Sequence, residues 1–166
     1  MSEPRKLRCY QYVNRPYARV SALLRARGVE MFQRATRSAG ARADALSSTL
    51  RVGSGAFEIG VDIRIVVRNA REEEGVAGMS PVTRLDLQWE AARAAALFPS
   101  MDAQLSAWPL SAEETQLEIE GEYRPPLGVF GNAMDALVGH RIAEAAVHRF
   151  LEDVTEQLRE DAVAAA

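Results

Sequence analysis

The segment GEYRPPLGVFGNAMD, Gly121–Asp135, decides the fold. It closes an alternating run, TQLEIEGEY, in which Leu117, Ile119, Gly121 and Tyr123 share one register and Gln116, Glu118, Glu120 and Glu122 the other. Such alternation is that of a strand with one buried and one wet face. Pro125 and Pro126 cannot donate to a ladder, and Gly128 lets the chain fold back. A helical pattern then continues almost to the C-terminus. One apolar stripe holds Leu127, Phe130, Met134, Leu137, Val138, Ile142 and Ala145. A second holds Val129, Ala133, Ala136, His140, Ala143, Val147, Phe150, Val154 and Leu158. A helix that is apolar on more than one side is enclosed by several elements.

Upstream, the alternation recurs in FEIGVDIRIVVR, TRLDLQWEA and MDAQLSAW. The inward sets are Phe57, Ile59, Val61, Ile63, Ile65 and Val67, then Leu85, Leu87, Trp89 and Ala91. The short polar connections between these runs suit an antiparallel meander, because parallel pairing needs crossovers of about a dozen residues or more. LRCYQYV, Leu7–Val13, is expected to be a first strand. Two short helices are expected after it: one from Pro16 to Gly28, and a second, VEMFQRATRSAGARADAL, that weakens at Gly40. The period changes from helical to alternating near Leu46.

The chain has 166 residues, 48% hydrophobic and 26% charged, with a net charge of -3. A single domain, 1–166, is expected, which buries roughly two thirds of the unfolded chain's surface. Among 20 basic residues only Lys6 is a lysine, which reads as compositional bias rather than phosphate recognition. No aromatic stacking platform or nucleic-acid motif accompanies the basic N-terminal third, so no nucleic-acid partner is expected. The lone Cys9 excludes an internal disulfide. No run is long and apolar enough for a membrane span, and the expected location is cytoplasmic. An exposed register containing Val66 and Trp108 leaves room for a homodimer.

The order of elements and the strings VNRPYARV, LQWEAA, LFPSMDAQL, PLSAEETQLEIEGEYRPPLG and GHRIAEAAVHRFLEDV are similar to the SRPBCC, or START-like, superfamily. That superfamily includes birch-pollen-allergen-type proteins and polyketide cyclases. The resemblance spans nearly the whole chain and implies an α+β helix-grip fold: a curved antiparallel sheet of about six to seven strands wrapped around a long C-terminal helix. It also implies a hydrophobic cavity, for carriage of a lipid-like or polyketide-like molecule or for cyclase or hydratase chemistry. A non-catalytic interaction module is the third reading.

The cavity candidates are Phe57, Ile59, Ile63, Leu87, Trp89, Leu105, Tyr123, Phe130, Met134 and His140. His140, on the second apolar stripe, would orient a ligand carbonyl or act as acid or base near neutral pH. The simpler role for it is packing, with a hydrogen bond to a neighbouring backbone or carboxylate group. Trp89 and Tyr123 would supply an N–H and an O–H to an apolar space, or would fill the core. His148 is expected to be exposed, and Glu118, Glu120 and Glu122 to form a solvated outer row. GSGAF, Gly53–Phe57, lacks the following helix of a nucleophile elbow. Two histidines without a nearby cysteine make no recognised metal set, so neither metal nor cofactor is expected.

Overall fold

The computed structural model describes residues 4–50, 63–75, 79–91, 100–124 and 133–161. Its elements run β1 (Arg5–Val13), α1 (Tyr17–Leu50), β2 (Ile63–Glu73), β3 (Val82–Ala91), β4 (Ser100–Pro109), β5 (Thr115–Arg124) and α2 (Ala133–Glu160). The strands form one antiparallel sheet in the order β1-β5-β4-β3-β2. Thus β2 to β5 are a meander, and β1 closes it by pairing with β5. Both helices lie on the same face, α2 against β1 and β5, α1 against β2 and β4, and they pack on each other.

The period of two determines which side chains meet the helices. Leu7, Cys9 and Val13 of β1 point inward with Leu117, Ile119 and Tyr123 of β5, and all are buried. Met101, Ala103, Leu105 and Ala107 continue this layer on β4, and Leu85, Leu87 and Trp89 on β3. The helices answer with Val20, Leu24, Phe32 and Ala35 from α1 and Val147, Phe150, Leu151 and Val154 from α2. Phe150 is the keystone, its ring centroid 5.1 Å from Trp89 and 5.7 Å from Phe32.

Three expectations are corrected. One helix of 34 residues replaces the two short ones, and it runs through Gly28, Gly40 and Leu46 to Leu50. An interior glycine costs a helix only about 1 kcal/mol relative to alanine, less than the burial of Leu24, Met31 and Phe32 around Gly28 returns. The described residues form five strands rather than six or seven. A bulge between Val67 and Asn69 lets β2 continue to Glu73 in one piece, since it absorbs the break in alternation. Finally, Glu118 lies on the outer register but is only 9% exposed. Arg8 covers it at 2.8 Å, and Ser106 beside it is buried as well.

The outer face over β2, β3 and β4 carries a polar network, while Tyr10 and Tyr12 of β1 are exposed on the same side. Arg71 reaches Asp86 at 2.7 Å, Gln104 donates to Asp86 at 2.8 Å, and Arg84 bonds Glu73 and Gln104. Val66 is exposed on this face and Trp108 half-buried.

Candidate functional site

Most inward positions of the five strands are apolar, and two carry charge: Arg5 at the start of β1 and Glu72 near the end of β2. They stand at opposite corners of the face that the helices cover. Each gathers a polar cluster.

At the first corner the register lines up Arg5, Tyr123, Met101, Trp89 and Ile65 in one cross-strand row. Tyr123, Met101, Trp89 and Ile65 are all buried. Helix α2 brings His140 over this row, so that its ring stacks on Tyr123 with centroids 5.8 Å apart and planes 19° from parallel. The Tyr123 hydroxyl lies 2.6 Å from His140 Nδ1. One helical turn on, Glu144 Oε1 is 3.1 Å from His140 Nε2. The set is complete in the tautomer with its proton on Nε2: the phenol donates to Nδ1, and Nε2–H donates to Glu144.

Burial pushes the Tyr123 phenol above its ordinary value, and the charge of Glu144 adds to this. The charge of Arg5 and its hydrogen bond to the phenol oppose the shift without cancelling it. Tyr123 therefore keeps its proton at neutral pH and serves as a donor. The line Arg5, Tyr123, His140, Glu144 runs outward, from a phenol that is 1% exposed to an imidazole whose side chain is 32% exposed.

The second corner is a knot of hydroxyls beneath α1. Thr83 donates to Ser21 at 2.7 Å, and the Tyr17 hydroxyl lies 2.8 Å from Thr83 Oγ1. Glu72 Oε1 accepts from Tyr17 at 3.1 Å and from Ser21 at 3.4 Å, while Oε2 faces Arg25 at 3.2 Å. Burial pushes the Tyr17 phenol up as well. Outside the core, an open groove of 590 Å³ lies between α1 and β2, lined by Leu24, Arg27, Val29, Val67 and Arg68 among others. Its arginines are engaged, Arg27 by Glu30 and Asp161 and Arg68 by Gln88.

Of the candidates named from sequence, Tyr123 and His140 meet at the first corner, and Trp89 lies in the same cross-strand row, two strands from Tyr123. Leu87 lies one cross-strand row deeper and Leu105 two, both buried in the core. Ile63 is the first residue of β2 and Met134 is in the first turn of α2. Phe57, Ile59 and Phe130 lie outside the described residues, as do residues 92–98 of the Ala-rich run. His148 is exposed. Sequence reading missed Arg5 and Glu144. Starting β1 at Leu7 hid the fact that Arg5, two residues earlier, shares its inward register; Glu144 follows His140 by the four residues that place side chains together on a helix. Among the described residues no group of three His, Cys, Asp or Glu side chains is placed to hold a metal ion. No described helix is long and apolar enough to cross a membrane.

No protein-family model and no curated protein matches the sequence. Solved structures do match in three dimensions. A protein from Thermus thermophilus superposes with a TM-score of 0.52 at 14% identity, over 98% of this chain and 99% of its own. The Zhui aromatase/cyclase from Streptomyces sp. R1128 gives 0.45 at 16% identity, over 99% of each chain. A START superfamily protein from Mycobacterium smegmatis gives 0.44 at 9% identity, over 93% of this chain and 97% of its own. The antiparallel meander closed by β1, with a long C-terminal helix laid across its inner face, is a helix-grip arrangement, and the chain shares its fold with the Thermus thermophilus protein.

Proposed function

We propose that the chain binds a small hydrophobic molecule, lipid-like or polyketide-like, between the inner face of the sheet and the N-terminal half of α2. The observation that carries this reading is the first corner itself. Tyr123 and His140 are the polar pair at the end of an apolar row formed by Met101, Trp89 and Ile65. Apolar walls with a few polar groups that fix orientation are what a small-molecule site requires. Affinity would come from apolar burial, about 25 cal/mol per Å² before the cost of ordering the ligand.

Native mass spectrometry of the purified protein, followed by displacement of a fluorescent fatty acid, tests the proposal. A co-purified small molecule or saturable displacement is expected. Absence of both overturns the reading and leaves the interaction module.

The 2.6 Å contact between Tyr123 and His140 favours one second reading, an enzyme of the cyclase or hydratase type. An imidazole backed by Glu144 is suited to take a proton, and a phenol kept neutral by burial is suited to donate one to a carbonyl oxygen. If this holds, His140→Ala lowers turnover of a cyclising substrate about a hundredfold or more. Unchanged turnover removes the enzyme.

A further inference from the structure

We infer that the open groove between α1 and β2 is a second binding site, for a small carboxylate with an apolar body, and that Arg68 receives the carboxylate. The groove shares no residue with the Tyr123 and His140 pair, so the inference stands apart from the ligand proposed there.

Its 590 Å³ falls within the range of small-molecule sites, about 300 to 1,000 Å³. Two departures from regular structure converge on it. The first is Gly28, within the stretch of α1 that forms one wall. An interior glycine weakens a helix. Packing does not demand it here: a Cβ at Gly28 would meet the Phe32 ring at 3.5 Å and Leu85 at 3.6 Å, both ordinary contacts. The missing side chain leaves room at the base of the groove, between α1 and Leu85. The second departure is the bulge in β2. Val67 pairs with Leu87 and Asn69 with Asp86, so Arg68 is the extra residue. A bulge bends its strand and re-aims the side chain it carries. It sets Arg68 on the groove's lining beside Val67, and brings Ala70 opposite Leu85.

Charge selects the occupant. Three guanidinium groups, Arg25, Arg27 and Arg68, line the groove with one carboxylate, Glu30, among the described residues. Arg25 is paired with Glu72, and Arg27 with Glu30 and Asp161. Glu30 is itself held by Arg27 and Arg34, which weakens its repulsion of an anion. Arg68 differs: among the described residues its partner is Gln88 Oε1, a neutral amide oxygen. A guanidinium has five N–H donors and can hold a carboxylate by two parallel bonds, which are stronger than bonds to a neutral acceptor. A carboxylate in the groove thus offers Arg68 a better acceptor than Gln88, while Leu24, Val29, Val67 and Leu85 take the apolar body. Val29 is 54% exposed, an apolar side chain that an occupant would cover.

The test compares 2-naphthoate with its neutral counterpart 2-naphthalenemethanol at pH 7, followed by amide NMR of the isotope-labelled protein. Saturable shifts are expected at Gly28, Val29, Val67 and Arg68, with naphthoate binding about tenfold more tightly, the range of one charge-assisted hydrogen bond. Arg68→Gln, at an exposed position, is expected to bring the acid down to the affinity of the alcohol. Arg64→Gln, exposed on the same strand and outside the groove, should leave the acid's advantage intact. Gly28→Ala should weaken binding of both probes while the protein melts no lower than the native chain. Equal affinity of the native protein for acid and alcohol overturns the carboxylate. A preference that survives Arg68→Gln removes Arg68 from the role. Shifts confined to Met101, Tyr123 and His140 place the probe in the core and overturn the groove, as does the absence of any saturable shift.

Discussion

The two polar corners of the inner face are built from similar parts and end differently. At the Glu72 corner the groups close on one another: Thr83 meets Ser21 and Tyr17, both of which reach Glu72, and Arg25 takes the remaining oxygen. At the Arg5 corner they form a line, from guanidinium to phenol to imidazole to carboxylate. A closed knot spends its hydrogen bonds on holding α1 to the β2–β3 hairpin. A line can be opened at one end by a ligand without stranding the rest. The Arg5 corner is therefore the one proposed as a binding site, and the Glu72 corner ties α1 to the β2–β3 hairpin.

The largest effect that bears on this contrast is expected from Trp89→Ala. Trp89 floors the Arg5 corner yet packs on Phe150 at 1% exposure, so its loss should cost about 3–5 kcal/mol in urea unfolding. A cost below about 1 kcal/mol would mean that the floor is lining rather than core.

Alkaline titration probes the core between the corners. Burial pushes the Cys9 thiol from 9.0 up to about 12, with the charges of Glu118 and Glu152 adding to it. A folded-state value raised above the unfolded one contributes stability that is fully present below the unfolded value and is lost as pH climbs towards the folded one. Stability should thus fall between pH 9 and 12, by about 1.4 kcal/mol per pH unit for this one group. Cys9→Ala should flatten that part of the profile; an unchanged slope would show that water reaches Cys9.

The smaller effects separate the corners directly. Thr83→Val removes the centre of the knot at 0% exposure, and about 1–3 kcal/mol should be lost, because Ser21 and Tyr17 lose a partner inside the protein. Tyr123→Phe should cost only about 1 kcal/mol, since His140 can turn to solvent. The same substitution should weaken binding of the fluorescent fatty acid. Equal stability losses at the two sites would erase the distinction between knot and line.

Much of the sheet was legible before any coordinates. Alternation placed Leu85, Leu87 and Trp89, and Leu117, Ile119 and Tyr123, on the inner face, because a pleated strand leaves no other choice once one side is wet. Helix length was less legible. Gly28 looks like a stop signal in isolation, but the helical stripe continues through Met31, Phe32 and Ala35, and their burial outweighs a local penalty. Glu118 was misjudged for a related reason: alternation tells which face a residue takes, and Arg8 on the neighbouring strand decides whether that face is wet.

By itself, then, the sequence determined the strands, their faces and the closing helix, since these follow from the periods of two and of 3.6 residues along one segment. It placed Tyr123 on the inner face of its strand and His140 on an apolar stripe of the helix, without bringing them together. Tertiary structure decided that Arg5 stands beside Tyr123 from the far end of the chain, and that α2 crosses β5 where His140 can stack on the phenol. The physical reason is range. Periodicity is a property of neighbours along the chain, whereas a site depends on which rows of the sheet come under which turn of the helix, and packing alone chooses that.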